Sequence, residues 1–342
     1  MATNKKKQVP GKGESLSNKI RRFNEAIDEN VPYELSSFQR FKLFMDFQKE
    51  YRKNGVLLLD YIQYNFYDKQ KEDRRNYVVH GRLLEIMKTC NNPEHRYIFD
   101  EKPEFDKAFS KYLHRDYLYL KDASWEDFEK FLEGKDCFFA KDPKGMFGLG
   151  VQKYTLSEVE DLKALFDELK SHEILCEESL TQCEEMAAFN DSSINTLRVV
   201  SMVKANGEPE IVGGLLRLGR KGRIADNFHH HGICAYINPK YGIVTTEGVD
   251  KDNVRHVVHP DSGKQIVGFK VPYWDDVVRT IKEAALVVPD MRYIGWDVAI
   301  TKDHKIALVE GNPGADPDAE QITTKQGRWP LYEAYLKEIR AL

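Results

Sequence analysis

The sequence predicts an α+β protein: a mainly helical N-terminal region followed by lobes in which strands and helices mix. Three observations carry this. Up to about residue 100 the chain is highly charged and repeats its apolar residues at helical intervals. Between Cys137 and Leu180, strand-like runs alternate with a glycine-rich turn and an amphipathic helix. From Ile194 onward strand patterns dominate, with a helical segment between them and another at the C-terminus.

The elements follow in order. "FQRFKLFMDFQKEY" places Phe38, Phe41, Phe44 and Met45 on one helical stripe, read as a packing face. Helical pattern continues through "DYIQYNFYDKQKEDRRNYVVHGRLLEIMKTCN" to the breaker Asn91-Asn92-Pro93. "FDKAFSKYL" is a helix. "SWEDFEKFLEG" is another, with Ser124 as N-cap and Asp127 in place of the usual Glu or Gln of a capping box. "CFFAK", "DPKGMFGLG" and "VQKYTL" read as strand, glycine turn and returning strand; "SEVEDLKALFDELKS" is a helix and "EILCEESL" a buried strand. "INTLRVVSMVKANGEPEIVGGLLRLGR" is a hairpin turning at Asn206-Gly207, and "AYINPKYGIVTT" turns between Asn238 and Gly242. Helix "WDDVVRTIKEAALVVP" precedes a last hairpin, "YIGWDVAI" with "KIALVEGN", and "PLYEAYLKEIRAL" closes the chain as a helix.

Composition bounds the function classes. With 342 residues, 41% apolar and 31% charged, the chain can bury a sizeable core. A net charge of −4 gives no global sign of nucleic-acid binding or adhesion to an anionic membrane. No apolar run is long enough to span a bilayer, and the basic N-terminus lacks the apolar stretch of a secretory signal. Five scattered cysteines, without zinc-type spacing, suit a reducing, cytoplasmic setting.

The chemistry concentrates in "GWDVAITKDHKIALVEGNPG". Pairing Thr301 with Ile306 sets Asp297 opposite Glu310 and Gly295 opposite Asn312, so all three polar side chains share one face. Two carboxylates so placed repel unless a cation neutralises them, and an all-oxygen set favours Mg²⁺ or Mn²⁺. The alternative is a half-exposed hairpin with its acids in solvent. The flanking Trp, Val, Ile and Leu argue for burial, and the "GNPG" turn offers close backbone approach to a ligand. Mg²⁺ usually bridges carboxylates to phosphates. Lys141, followed by Gly145, Gly148 and Gly150, offers an ammonium and a flexible backbone for phosphate oxygens, without a Walker A or dinucleotide pattern.

Taken together, "FDEKPEFDKAF", "FFAKDPKGMFGLGV", "ILCEESL", "INTLRVVSMV", "LLRLGRKGRIADN", "GIC…GIV" and "YIGWDVAI…ALVEGNPG" resemble the sugar-transfer-associated ATP-grasp family over roughly residues 95 to 326. The resemblance implies an ATP-grasp fold, in which two α+β lobes clamp ATP. Composition and periodicity give a disordered basic tail over 1–13 and a helical region over 14–100, and the resemblance adds a small lobe with the glycine loop over 101–178 and a large lobe with the Mg site over 179–342. Lys102 and Lys141 resemble the two lysines that grip the α- and β-phosphates, and Gly145, Gly148 and Gly150 the loop that closes over them. Glu177, Glu178 and Leu180 resemble the adenine hinge, with Glu184 toward the ribose. Asp297, Glu310 and Asn312 match the magnesium ligands. Arg198 and Arg217 stand where a cation would steady the γ-phosphate or an acyl-phosphate; the other reading makes them salt-bridged strand residues. Asp226 and Asn227 fall beside the same site. Where relatives carry a "GG" element, this chain reads "FHHHGIC", so His229 to His231 are either substrate contacts or a polar loop.

The implied activity is a Mg-ATP-dependent carboxylate–amine ligase working through an acyl-phosphate. Its expected partners are a small-molecule carboxylate and an amine, with a sugar acid or saccharide acceptor from a polysaccharide precursor. A kinase or phosphotransferase on the same scaffold, and a nucleotide-binding protein without turnover, are the alternatives. Glu310→Gln and Asp297→Asn are each expected to keep the fold and abolish turnover.

Overall fold

A computed structural model describes residues 15–145, 150–222 and 232–341. The expected tail over 1–13, Gly148, Asp226, Asn227 and His229 to His231 lie outside the described residues. The chain divides into two units: residues 1–86 with 325–334, and residues 87–324 with 335–342.

The first unit is helical: α1 (Leu16–Asn30), α2 (Ser37–Asn54), α3 (Leu58–Gln63), α4 (Lys71–Arg74) and the start of α5 (His80–Cys90). Its centre is aromatic, with Phe23 stacked on Phe47 at 5.6 Å and set edge-on to Phe44 at 5.4 Å. Ser36 caps α2 in a reciprocal box with Gln39. The aromatic stripe of α2 is not the single packing face that its spacing predicts. Phe44 is buried, but its buried companion is Phe47, whereas Phe38, Phe41 and Met45 are exposed. At about 100° per residue the apolar positions form two arcs, and the core takes only the arc centred on Phe44 and Phe47.

The second unit holds two antiparallel sheets. After α6 (Tyr97–Asp100) and α7 (Lys102–Ala108), strand β1 (Tyr117–Tyr119) leads to α8 (Trp125–Leu132), then β2 (Cys137–Lys141), β3 (Val151–Thr155), α9 (Leu162–Ser171) and β4 (Leu175–Glu178). The strands form a small sheet in the order β1-β4-β2-β3. Its core is Phe128 of α8 and Phe166 of α9 packed with Phe138 of β2 and their apolar neighbours. Ser124 and Asp127 make the expected capping box: the Asp127 N–H donates to Ser124 Oγ at 3.2 Å, and the Ser124 N–H to Asp127 Oδ2 at 2.8 Å.

The short α10 (Glu184–Ala187) opens the larger sheet: β5 (Thr196–Val203), β6 (Pro209–Leu218), β7 (Ile233–Asn238), β8 (Ile243–Val244), β9 (Gly248–Val249), β10 (Arg255–His256), α11 (Trp274–Ala285), β11 (Tyr293–Ile300) and β12 (Ile306–Asn312), followed by α12 (Asp318–Thr324) and α13 (Trp329–Ile339). Its order is β10-β9-β7-β6-β5-β11-β12, with β8 on β7. The hairpins at Asn206-Gly207 and Asn238 to Gly242 form where the turn residues predict; Gly207 sits at φ 85° and Gly242 at φ 66°.

The β11–β12 register holds where it matters and slips elsewhere. Asp297 pairs with Glu310 and Gly295 with Asn312, as the pattern predicts, but at the turn Ile300, not Thr301, pairs with Ile306. An irregularity between Asp297 and Val298, opposite Val309, absorbs the one-residue difference. The glycines of "EGNPG" answer to packing. A Cβ on Gly311 would stand 2.8 Å from Phe99 and 3.0 Å from Phe105, and one on Gly314 would stand 3.1 Å from Met87. Those rings continue to Phe109, which meets Trp296 edge-on at 5.3 Å. Gly311→Ala is therefore expected to destabilise this unit by about 1–3 kcal/mol through overpacking, read as a lowered midpoint in denaturant melts followed by tryptophan fluorescence.

Candidate nucleotide and metal site

Sheet pairing builds the acidic end. Arg198 on β5 lies directly opposite Asp297 on β11, Glu310 on β12 faces Asp297 from the other side, and Arg217 comes from β6. The result is a row of charge across four strands. Arg198 Nε donates to Asp297 Oδ1 at 2.5 Å and its second guanidinium nitrogen to Oδ2 at 3.1 Å; Arg217 approaches Oδ2 at 2.8 Å. Burial alone would raise the Asp297 carboxyl, but the two guanidinium groups outweigh it and hold the acid well below the usual range. Glu310 goes the other way. Lost hydration and the neighbouring Asp297 charge raise its carboxyl, against the relief that Asn312 gives by donating Nδ2 to Oε1 at 3.0 Å.

This revises the reason for expecting a cation. The pair does need positive charge, and Arg198 and Arg217 supply it to Asp297. The remaining carboxylate is Glu310, which is exposed on β12 and accepts from Asn312. Asp297, Glu310 and Asn312 offer oxygen donors of the type a hard divalent cation takes. Among the described residues no cluster of three or more His, Cys, Asp or Glu side chains could hold a metal; the candidate set is two carboxylates and an amide. Asp297→Asn is expected to cost stability, because it would remove a buried anion that half-buried Arg198 and buried Arg217 both hold, a loss of about 3–5 kcal/mol.

The basic end comes from α7 and the small sheet. Lys102 Nζ donates to the carbonyls of Asp142, at 3.0 Å, and Gly145, and so tethers the start of the glycine loop. Desolvation lowers its ammonium, and Glu310 is the largest charge opposing that shift, which puts Lys102 and the acidic row in one electrostatic neighbourhood. Gly150 sits at φ 76°, its carbonyl accepting from the Asp142 N–H at 3.0 Å, so a glycine closes the loop. Lys141 ends β2 and donates to Glu177 Oε2 at 2.7 Å.

Glu177, expected at an adenine hinge, is held in an ion-pair network. Its side chain is buried between Lys141 and Arg115, whose Nε donates to the same Oε2 at 2.6 Å. Burial would raise its carboxyl, but Arg115 and Lys141 prevail and lower it to about 2. Arg115 was not singled out from the sequence. It also donates to the Leu308 carbonyl on β12 at 2.6 Å and approaches Asp106 Oδ1 on α7 at 3.4 Å. Asp106 Oδ2 has no hydrogen-bond partner among the described residues, and burial followed by the Glu177 charge raises that acid. Nothing in "HRDYLYL" marks this arginine except the unusual cost of burying one. Glu178 accepts from the Asp116 N–H at 3.0 Å. Past Leu180 the chain crosses to the large sheet: the Lys302 N–H donates to the Thr181 carbonyl at 2.8 Å and the Cys183 N–H to the Ile300 carbonyl at 2.9 Å. Glu184 lies beyond, exposed at the start of α10. Asn91, read as part of a helix breaker, instead pins the turn after Asn312, donating to the carbonyls of Tyr293 at 2.9 Å and Pro313 at 2.8 Å.

A family model for sugar-transfer associated ATP-grasp proteins matches residues 87–334. The chain belongs to the sugar-transfer associated ATP-grasp family. Solved structures similar to it include the ATP-grasp ligase PsnB complexed with minimal precursor, at 14% identity, covering 75% of this chain and 69% of that one, with a TM-score of 0.47. D-alanyl-alanine synthetase A from Vibrio cholerae is similar at 14% identity, covering 73% and 68%, with a TM-score of 0.45. N5-carboxyaminoimidazole synthetase from Staphylococcus aureus, complexed with ADP, is similar at 8% identity, covering 70% and 52%, with a TM-score of 0.46. Comparison with curated proteins gives no match.

The Glu177 network carries a pH dependence. Because its folded carboxyl titrates below the ordinary glutamate value, it contributes stability that is present above about 4.5 and is lost as pH falls toward about 2. Glu177→Gln should start less stable at neutral pH and then lose less on acidification over that interval, measured by denaturant melts at stepped pH. A parallel loss in both proteins would remove Glu177 as the cause.

Proposed function

We propose that the protein is a Mg-ATP-dependent ligase that joins a carboxylate to an amine. What supports this reading is Arg115, which holds both Glu177, the partner of Lys141, and the Leu308 carbonyl two residues before Glu310, together with Lys102, which feels the Glu310 charge, and the row Arg217, Arg198, Asp297, Glu310 and Asn312. Lys102 and Lys141 would take the α- and β-phosphates of ATP, Lys141 leaving Glu177 to do so while Arg115 keeps that carboxylate satisfied. The backbone from Glu177 to Leu180 would hold adenine, with Glu184 toward the ribose, and the segment from Gly145 to Gly150 would cover the phosphates. Asp297, Glu310 and Asn312 would hold Mg²⁺, which when bound neutralises charge on the transferring phosphoryl group. Arg198 and Arg217 act in this reading as positioning residues, keeping Asp297 ionised and aimed.

The reaction follows from the weakness of a carboxylate as an electrophile. A carboxylate oxygen of the substrate attacks the γ-phosphorus, the bond to ADP breaks, and an acyl-phosphate forms. The amine nitrogen then attacks the acyl carbon, phosphate leaves, and loss of a proton gives the amide. Preorganised positive groups at the phosphoryl oxygens lower the barrier because they need no reorganisation as charge develops. A sugar acid or a polysaccharide precursor is the proposed carboxylate, supported by the family's sugar-transfer association. Five free cysteines suit a reducing, cytoplasmic setting.

ADP release, screened with Mg²⁺ against pools of amino acids and sugar acids and followed by mass spectrometry, tests this reading. An amide product and a hydroxamate trapped by hydroxylamine are expected; a stable phosphorylated product would replace ligation with phosphotransfer. Glu310→Gln should fold as well as the parent and lower turnover by about 100-fold or more. Asp297→Asn should lose both turnover and stability, so equal melting of the two variants would count against the arginine clamp.

A further inference from the structure

Helix α2 turns an unusual face to solvent. Phe38, Phe41 and Met45 are 65%, 60% and 50% exposed, and Lys42, Lys49, Arg52 and Lys53 are exposed with them. At about 100° per residue, these seven side chains fall within one arc of roughly 120°. The opposite side carries the buried Phe44, Phe47 and Glu50. Asp46 stands at the edge of the arc, but its carboxylate is already engaged, accepting from Arg74 at 2.6 Å and from the Tyr61 hydroxyl at 2.8 Å. The arc therefore combines three apolar side chains and four cations with no uncompensated acid.

Charge decides among the occupants that could cover such a face. A second copy of the chain, seated face to face, would bring four cations against four with no acid within the arc to pair them. A purely apolar partner would bury the ammonium groups without counter-charge. An anionic lipid surface satisfies both components at once: rings and thioether enter the boundary between headgroups and acyl chains, while the long basic side chains reach back to the phosphates. The net charge of −4 does not oppose this, because at about 0.1 M salt a surface feels charges only within about 10 Å. We propose that the outward face of α2 docks the protein on an anionic bilayer surface, lying on it rather than crossing it. Among the described residues no helix is long and apolar enough to cross a membrane.

The test is co-sedimentation of the full chain with vesicles of phosphatidylcholine alone and of phosphatidylcholine mixed with phosphatidylglycerol at about 2:1. Binding is expected to the anionic vesicles only, and to disappear when salt is raised to about 0.5 M, where the Debye length is only a few ångström. Phe38→Ser with Phe41→Ser should weaken it by about 10-fold or more, as should Lys42→Glu with Lys49→Glu. Both pairs sit on the exposed face and should leave the circular dichroism spectrum and melting temperature unchanged. The proposal is overturned by absence of vesicle binding, by equal binding to neutral vesicles, or by indifference to both pairs of substitutions. Concentration-dependent dimerisation removed by the Phe38/Phe41 pair would identify a second copy. Binding of polyglutamate without vesicle binding would identify an acidic protein partner, and either result also overturns it. None of these readouts uses ATP turnover, so the outcome is independent of the ligase reading.

Discussion

A buried guanidinium cannot be left to water, and Arg115 answers that constraint by taking partners from three directions. Its donors reach Glu177 on the small sheet, the Leu308 carbonyl on the large sheet and, at longer range, Asp106 on α7. Removing one member of such a set strands the others in low dielectric, which is why it fixes geometry more firmly than its number of bonds suggests. Through Glu177 the constraint extends to Lys141, and through α7 to Lys102, four residues before Asp106. The two lysines that define the basic end of the site are thus placed by a residue that need not touch a phosphate.

The acidic end is governed by the same physics with the signs exchanged. Asp297 is held ionised by two arginines, and Glu310 is pushed up by lost hydration and the Asp297 charge, which outweigh the relief from Asn312 and Arg198. Two adjacent carboxylates on a β-hairpin are thereby driven in opposite directions by their neighbours. The asymmetry gives them different parts: Asp297 belongs to the framework of the sheet, and Glu310 stands exposed beside it with Asn312 as its donor. The sheet order β6-β5-β11-β12 is what makes this possible, since it brings Arg198 beside Asp297, 99 positions further along the chain.

Much of this was legible from the sequence because it depends on local patterns. Period-two alternation placed β11 and β12, and it paired Asp297 with Glu310 although the turn end slipped by one residue. Turn residues located the Asn206-Gly207 hairpin, and the Ser124-Asp127 cap formed as the spacing implied. The stripe on α2 was misread because Phe38 and Phe41 satisfy helical spacing as well as Phe44 and Phe47 do, and spacing does not say which arc finds a core. The glycines of "EGNPG" were read toward a ligand, while Phe99, Phe105 and Met87 are what leave no room for a side chain there.

The sequence by itself determined the elements, the facing of Asp297 and Glu310, and the family to which the motifs belong, because periodicity, capping and turn chemistry act over a few residues. Only the tertiary structure decided which charges neutralise which. Arg198, Arg217, Arg115 and Glu177 are distant in sequence and carry no local signature of their partners. Ion pairing in a desolvated interior depends on separation and burial, and both are fixed only when the sheets have formed.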